Sequence, residues 1–95
     1  MRRKARVDDN QAEIVAALRK VGCSVLCLHQ IGKGAPDIAV GIGGKNYFFE
    51  LKDGKKVKSD RKLTDDELEF HAAWRGQIAV VCSAEEVLKA IGVIA

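Results

Sequence analysis

The 95-residue chain predicts a single α/β domain with the element order αβββαβα. Three observations carry this. Apolar residues recur at helical spacing over 9–21, 65–75 and 84–91, while short β-rich apolar runs occupy 23–29, 37–42, 45–52 and 77–82. Gly43-Gly44 stands between two of those runs as a tight-turn signal. Thr64 and Ser83 are each followed three residues later by a glutamate, Glu67 and Glu86, at the head of a periodic run, the signature of a capping box. No internal repeat or second domain interrupts this order, so residues 1–95 are read as one domain.

The elements follow in turn. Asp8, Asp9 or Asn10 can cap the first helix, Ile14, Val15 and Leu18 supply its apolar face, Arg19-Lys20 suit its last turn and Gly22 its stop. Residues 23–29 read as a strand. Gln30 to Pro36 is a glycine-containing loop, and Pro36 restricts its own φ and that of Ala35, which steadies the start of the next strand at Asp37. Strands 37–42 and 45–52 form a hairpin, closed by Asp53-Gly54. The second long helix is expected to turn Leu68, Ala72 and either Phe70 or Trp74 inward, with Trp74 in the core, and to end at Gly76.

Composition sets limits. A content of 47% hydrophobic and 31% charged residues is that of an ordinary globular protein, and no apolar run approaches bilayer length. The basic start, Met1 to Arg6, is followed by Asp8, Asp9 and Asn10 rather than by an apolar signal core, so a cytoplasmic protein with no membrane association is expected. The net charge of +3 is mild, but its distribution is uneven. Lys55, Lys56, Lys58, Arg61 and Lys62 crowd one loop, and acids gather at Asp65–Glu69 and Glu85-Glu86. Such a loop suits phosphates or simply solvent. Cys23, Cys27 and His29 share one strand, but ligands strung along a strand spread too far for one tetrahedral zinc, so free, buried cysteines are expected.

The chemistry concentrates between Gly34 and Lys52. Glu50 and Lys52 lie two apart on a strand and so point to one face, with Phe49 and Leu51 on the other. Asp37, at the start of the antiparallel partner, can sit beside Glu50. Two adjacent carboxylates repel unless a cation lies between them, and oxygen ligands suit Mg²⁺ or Mn²⁺.

Pro36-Asp37 followed by Glu50-Leu51-Lys52 resembles the PD-(D/E)xK nuclease signature. Gly34-Ala-Pro-Asp37, Phe49-Glu-Leu-Lys52, Leu63-Thr64 and Phe70-His71-x-x-Trp74 together resemble the VRR-NUC (virus-type replication-repair nuclease) domain over about residues 13–88. The resemblance implies a restriction-endonuclease-like core with a mixed sheet flanked by helices, and a metal-dependent DNA endonuclease active on branched or junction DNA as a homodimer. It implies that Asp37 and Glu50 hold Mg²⁺ or Mn²⁺ with the Leu51 carbonyl, and that Lys52 positions or deprotonates the water or stabilises the phosphoryl charge. Lys33, Lys55, Lys56, Lys58, Arg61 and Lys62 would meet the nucleic-acid backbone. Glu13 carries two readings: a carboxylate favouring the N-terminal dipole of its helix, or, by the resemblance, an acid brought over the metal. The family usually places glutamine, near the catalytic lysine, where this chain has Glu67; the resemblance would thus bring Glu67 to the site, but a capping box already explains a glutamate there, and His71 reads as a surface or packing residue. A non-catalytic nucleic-acid-binding module is the alternative function, and a small α/β protein with accidental motif matches is the plainest reading.

Overall fold

A computed structural model describes residues 10–56 and 62–94. The elements are α1 (Gln11–Lys20), β1 (Ser24–Cys27), β2 (Ile38–Ile42), β3 (Lys45–Leu51), α2 (Asp65–Ala73), β4 (Ile78–Val81) and α3 (Ala84–Ala90). The order is the expected αβββαβα. The four strands form one mixed sheet in the order β1-β2-β3-β4, antiparallel except for the parallel β3–β4 pair.

The hairpin is set by its turn. Gly43 and Gly44 both have positive φ, 59° and 77°, as a two-residue turn between twisted strands needs. From it the register runs Ile42↔Lys45 to Ile38↔Phe49. One step further places Asp37 opposite Glu50, and the Asp37 amide donates to the Phe49 carbonyl at 3.1 Å.

Strand alternation divides the sheet into two unlike faces. Ile38, Val40, Phe49, Leu51 and Val81 enter the main core with Ile14, Val15 and Leu18 of α1 and Val87 of α3. The opposite face carries Phe48, Glu50 and Lys52 and meets α2, where the Trp74 ring lies 4.9 Å from Phe48 and 5.4 Å from Phe70. This second layer is thin. No residue of α2 is buried, Leu68 and Ala72 are exposed rather than inward-facing, and Trp74 is 43% exposed rather than part of the core. A nine-residue helix covers only part of its sheet face, so Val80 of β4 also remains open.

The helix ends show which local signals act. Thr64 and Glu67 form the full reciprocal capping box of α2. Ser83 accepts from the Glu86 amide, but Glu86 Oε1 takes the Cys82 amide instead of closing the second box. Asn10 occupies the N-cap of α1 without capping it; its Nδ2 donates to the carbonyls of Lys52 at 3.2 Å and Cys82 at 3.0 Å, tying the helix start to the ends of β3 and β4. Asp8 and Asp9, the other capping candidates, lie outside the described residues. α2 stops at Ala73, ahead of Gly76, where Trp74 turns to extended backbone.

All three cysteines are free, but Cys23 alone is buried, which pushes its thiol up. Cys27, on the edge strand β1, is exposed and Cys82 half-buried, so the expectation of three buried cysteines fails for want of cover at the sheet edge. Among the described residues no helix is long and apolar enough to cross a membrane.

Candidate active site

Asp37, Glu50, Leu51, Lys52 and Lys33 line one cleft of about 330 Å³, walled by the Gly32–Ala35 loop, His29 and the first turn of α2 with Thr64, Asp66 and Glu67. The hairpin register brings the acids together, and the strand period puts Lys52 on the same face as Glu50. The Lys52 ammonium stands 3.9 Å from Glu50 Oε2 and 3.1 Å from Glu67 Oε1.

The two central acids are buried in different ways. Asp37 Oδ2 accepts from the Leu51 amide at 2.7 Å, a buried charge-assisted bond across the hairpin. Glu50 is 3% exposed, and its Oε1 has no hydrogen-bond donor. Besides the Lys52 ammonium at 3.9 Å from its Oε2, it faces other carboxylates. Burial first, then hydrogen bonding with and repulsion from Asp37 and Glu67, push the Glu50 carboxyl up to about 10. Without a cation it holds a proton at neutral pH. Burial also works to raise Glu67, but the Thr64 amide, a hydrogen bond from Glu50 and the Lys52 ammonium outweigh it and leave Glu67 below the ordinary range. The half-buried His71 on α2 is held low by burial, with Lys52 adding to the effect and Glu67 opposing it.

Asp37 thus has a structural duty that limits how it can be probed. Asp37→Ala would orphan the Leu51 amide and is expected to cost about 1–3 kcal/mol. Asp37→Asn keeps an acceptor and should cost less. Paired thermal melts check this; equal melting temperatures for the two variants would contradict it.

The other expected site residues scatter. Glu13 is exposed and lines a separate depression with Asn10, Asp53, Lys55 and Cys82. Its helix packs on the core face of the sheet, whereas Glu50 and Lys52 point to the α2 face. Lys55 shares the Glu13 depression, Lys56 is half-buried in the turn after β3 and Lys62 is exposed ahead of α2. Lys58 and Arg61 lie outside the described residues, as do Arg2, Arg3, Lys4 and Arg6.

Three further features shape the cleft, and the resemblance points to one of them, Glu67 beside the signature lysine. His29 joins the cleft wall with a buried, unpartnered Nδ1. Glu67 pairs with the signature lysine as well as capping its helix. Gly34, with φ of 79°, packs its backbone onto Asp66 and Glu67, which docks the loop before Asp37 against α2. The capping box and the glycine-rich loop were the available signals for the last two; His29 had none beyond its place before that loop.

Among the described residues no three His, Cys, Asp or Glu side chains already stand as a metal-ligand group, zinc-type sets included. The fit to a cation rests instead on Glu50 Oε1, a buried acceptor without a donor, next to Asp37. Comparison with family models, with curated proteins and with solved structures returns no match.

Proposed function

We propose that this chain is a Mg²⁺- or Mn²⁺-dependent DNA endonuclease with a restriction-endonuclease-like core of the VRR-NUC type, selective for branched DNA. The observation that carries this reading is the pair Asp37–Glu50. A buried carboxylate with an oxygen that meets no donor, beside a second carboxylate and a lysine, is a costly arrangement for a site that holds nothing. Proteins accept such costs where chemistry needs them.

Asp37 and Glu50 would hold the ion, with the Leu51 carbonyl at the same cleft. The ion, when bound, lowers the pKa of a water and polarises a phosphoryl oxygen. The chain's own groups do the rest. Asp37 stays oriented through the Leu51 amide. Glu50 would hold the ion as its carboxylate, the proton it otherwise keeps passing to solvent. Lys52, kept on the cleft side by Glu67, offers its ammonium to the phosphoryl oxygens, where negative charge grows during attack. Lys33, exposed on the rim of the cleft, would meet a neighbouring phosphate. A domain of this size has little surface for reading base sequence, which favours recognition of DNA shape. Two copies related by a two-fold axis would set two clefts against opposed strands.

The direct test is cleavage of labelled duplex, single-stranded, flapped and four-way-junction DNA with Mg²⁺ and Mn²⁺. Metal-dependent nicking, strongest on a branched substrate, is expected. Binding with no cleavage of any substrate would leave the non-catalytic module in its place. Lys52→Ala is expected to slow single-turnover cleavage by about 10²–10⁴-fold. Wild-type rates in that variant would rule out the role given to Lys52.

A further inference from the structure

We infer that Glu67 on α2, rather than Glu13 on α1, supplies the third carboxylate of the divalent-cation site, an assignment that rests on the nuclease reading above. Glu50 is the pivot. It is 97% buried, being 3% exposed, it lines the cleft, and its Oε1 meets no donor. Lys52 Nζ stands 3.9 Å from Glu50 Oε2 and 3.1 Å from Glu67 Oε1, which brings these two acids to one side of the cleft, and Asp37 on the neighbouring strand lines it with them. A cation entering the cleft would take the place of the proton that Glu50 otherwise holds among these acids.

Glu67 is held in place from two directions. Its Oε1 accepts from the Thr64 amide at 2.9 Å and from Lys52 Nζ at 3.1 Å, so both fixed contacts engage one oxygen. The turn that carries it is pressed against the backbone of Gly34. A carboxylate fixed in this way needs little reordering to serve a cation, which keeps the entropic cost of binding low. Glu13 has no comparable position: it is exposed, and it lines the depression beyond the end of β3.

Charge agrees with the assignment. Asp37, Glu50 and Glu67 ionised, with Lys52 protonated, leave two negative charges in the cleft, which one divalent ion balances. Hard cations of this kind take oxygen ligands and keep water in the remaining positions. Glu67 therefore serves α2 as a cap, Lys52 as a partner and the ion as a ligand, directly or through a water.

The test is calorimetric titration of MnCl₂ into the full chain, without DNA, for the wild type, Glu67→Gln, Glu67→Asp and Glu13→Gln. Glutamine can still accept from Thr64 and Lys52, so the cap and the fold are kept. Expected results are a loss of Mn²⁺ affinity of about tenfold or more for Glu67→Gln, equivalent to about 1.4 kcal/mol, and an unchanged affinity for Glu13→Gln. Glu67→Asp keeps the charge but draws it back, and should fall between wild type and Glu67→Gln. Wild-type affinity in both Glu67 variants, or a loss confined to Glu13→Gln, overturns the assignment and leaves the nuclease reading standing. A wild-type protein that takes up no Mn²⁺ at millimolar concentration overturns both.

Discussion

Glu50→Gln is expected to slow metal-dependent cleavage on the order of 10³-fold, close to 4 kcal/mol of lost transition-state stabilisation. Glutamine has the shape of the protonated glutamate that fills this position without a cation, so it packs as the native side chain does. It cannot become an anion, so the ion loses a principal ligand. The same variant separates chemistry from stability. The Glu50 carboxyl sits near 10 in the folded protein against 4.5 in an unfolded chain, raised first by burial and then by Asp37 and Glu67. A folded state that keeps a proton the unfolded state releases is favoured below pH 4.5 and loses that advantage as pH climbs toward about 10. Metal-free wild-type protein should accordingly melt at lower temperature as pH rises from 5 to 8, with a slope from this one group of at most about 1.4 kcal/mol per pH unit. Glu50→Gln should flatten that slope while cleavage is lost. A variant that cleaves normally, or that keeps the wild-type pH slope, contradicts the role given to Glu50.

Gly34→Ala is the substitution expected to damage the fold most. Its φ of 79° is left-handed, which costs a residue with a Cβ about 1–2 kcal/mol. Here the new atom would also overlap the Asp66 carbonyl and stand 2.8 Å from the Glu67 amide nitrogen. Neither partner is a flexible side chain; both are backbone in the first turn of α2. Crowding of this kind adds about 1–3 kcal/mol, and together the two effects should lower the melting temperature by about 10 °C or more. Gly32→Ala is the matched control. Its φ of 75° is nearly the same, but open space surrounds the site, so it should cost the conformational part alone. Relief of the Gly34 clash would part α2 from the loop, taking Glu67 away from Asp37 and Glu50, so residual cleavage should fall too. Equal melting temperatures for the two alanine variants would contradict this account.

Much of the architecture is legible in the residues. The double-glycine turn sets the hairpin register, and period-two alternation then brings Asp37, Glu50 and Lys52 to one cleft. Thr64 and Glu67 mark the start of α2 by local hydrogen bonding, which is why that boundary is read to the residue. What is not legible depends on contacts between distant elements. Asn10 has the residue type of a cap but turns to the carbonyls of Lys52 and Cys82, 42 and 72 positions away. Leu68 and Trp74 satisfy a helical period yet stay open, since period reports a face and not whether anything covers it. Glu13 lines a different depression from the one that holds Asp37 and Glu50, its helix packing on the core face, a fact of layer order that no spacing encodes. The nearness of Glu67 to Lys52 follows from the resemblance and not from residue spacing, which shows Glu67 only as a cap.

Anomalous diffraction from a crystal of the wild-type chain soaked in Mn²⁺ tests the central claim most directly. A manganese peak within coordination distance of Asp37 and Glu50, on the α2 face of the sheet, is the predicted result. A peak elsewhere, or none with the cleft open to solvent, would contradict the account.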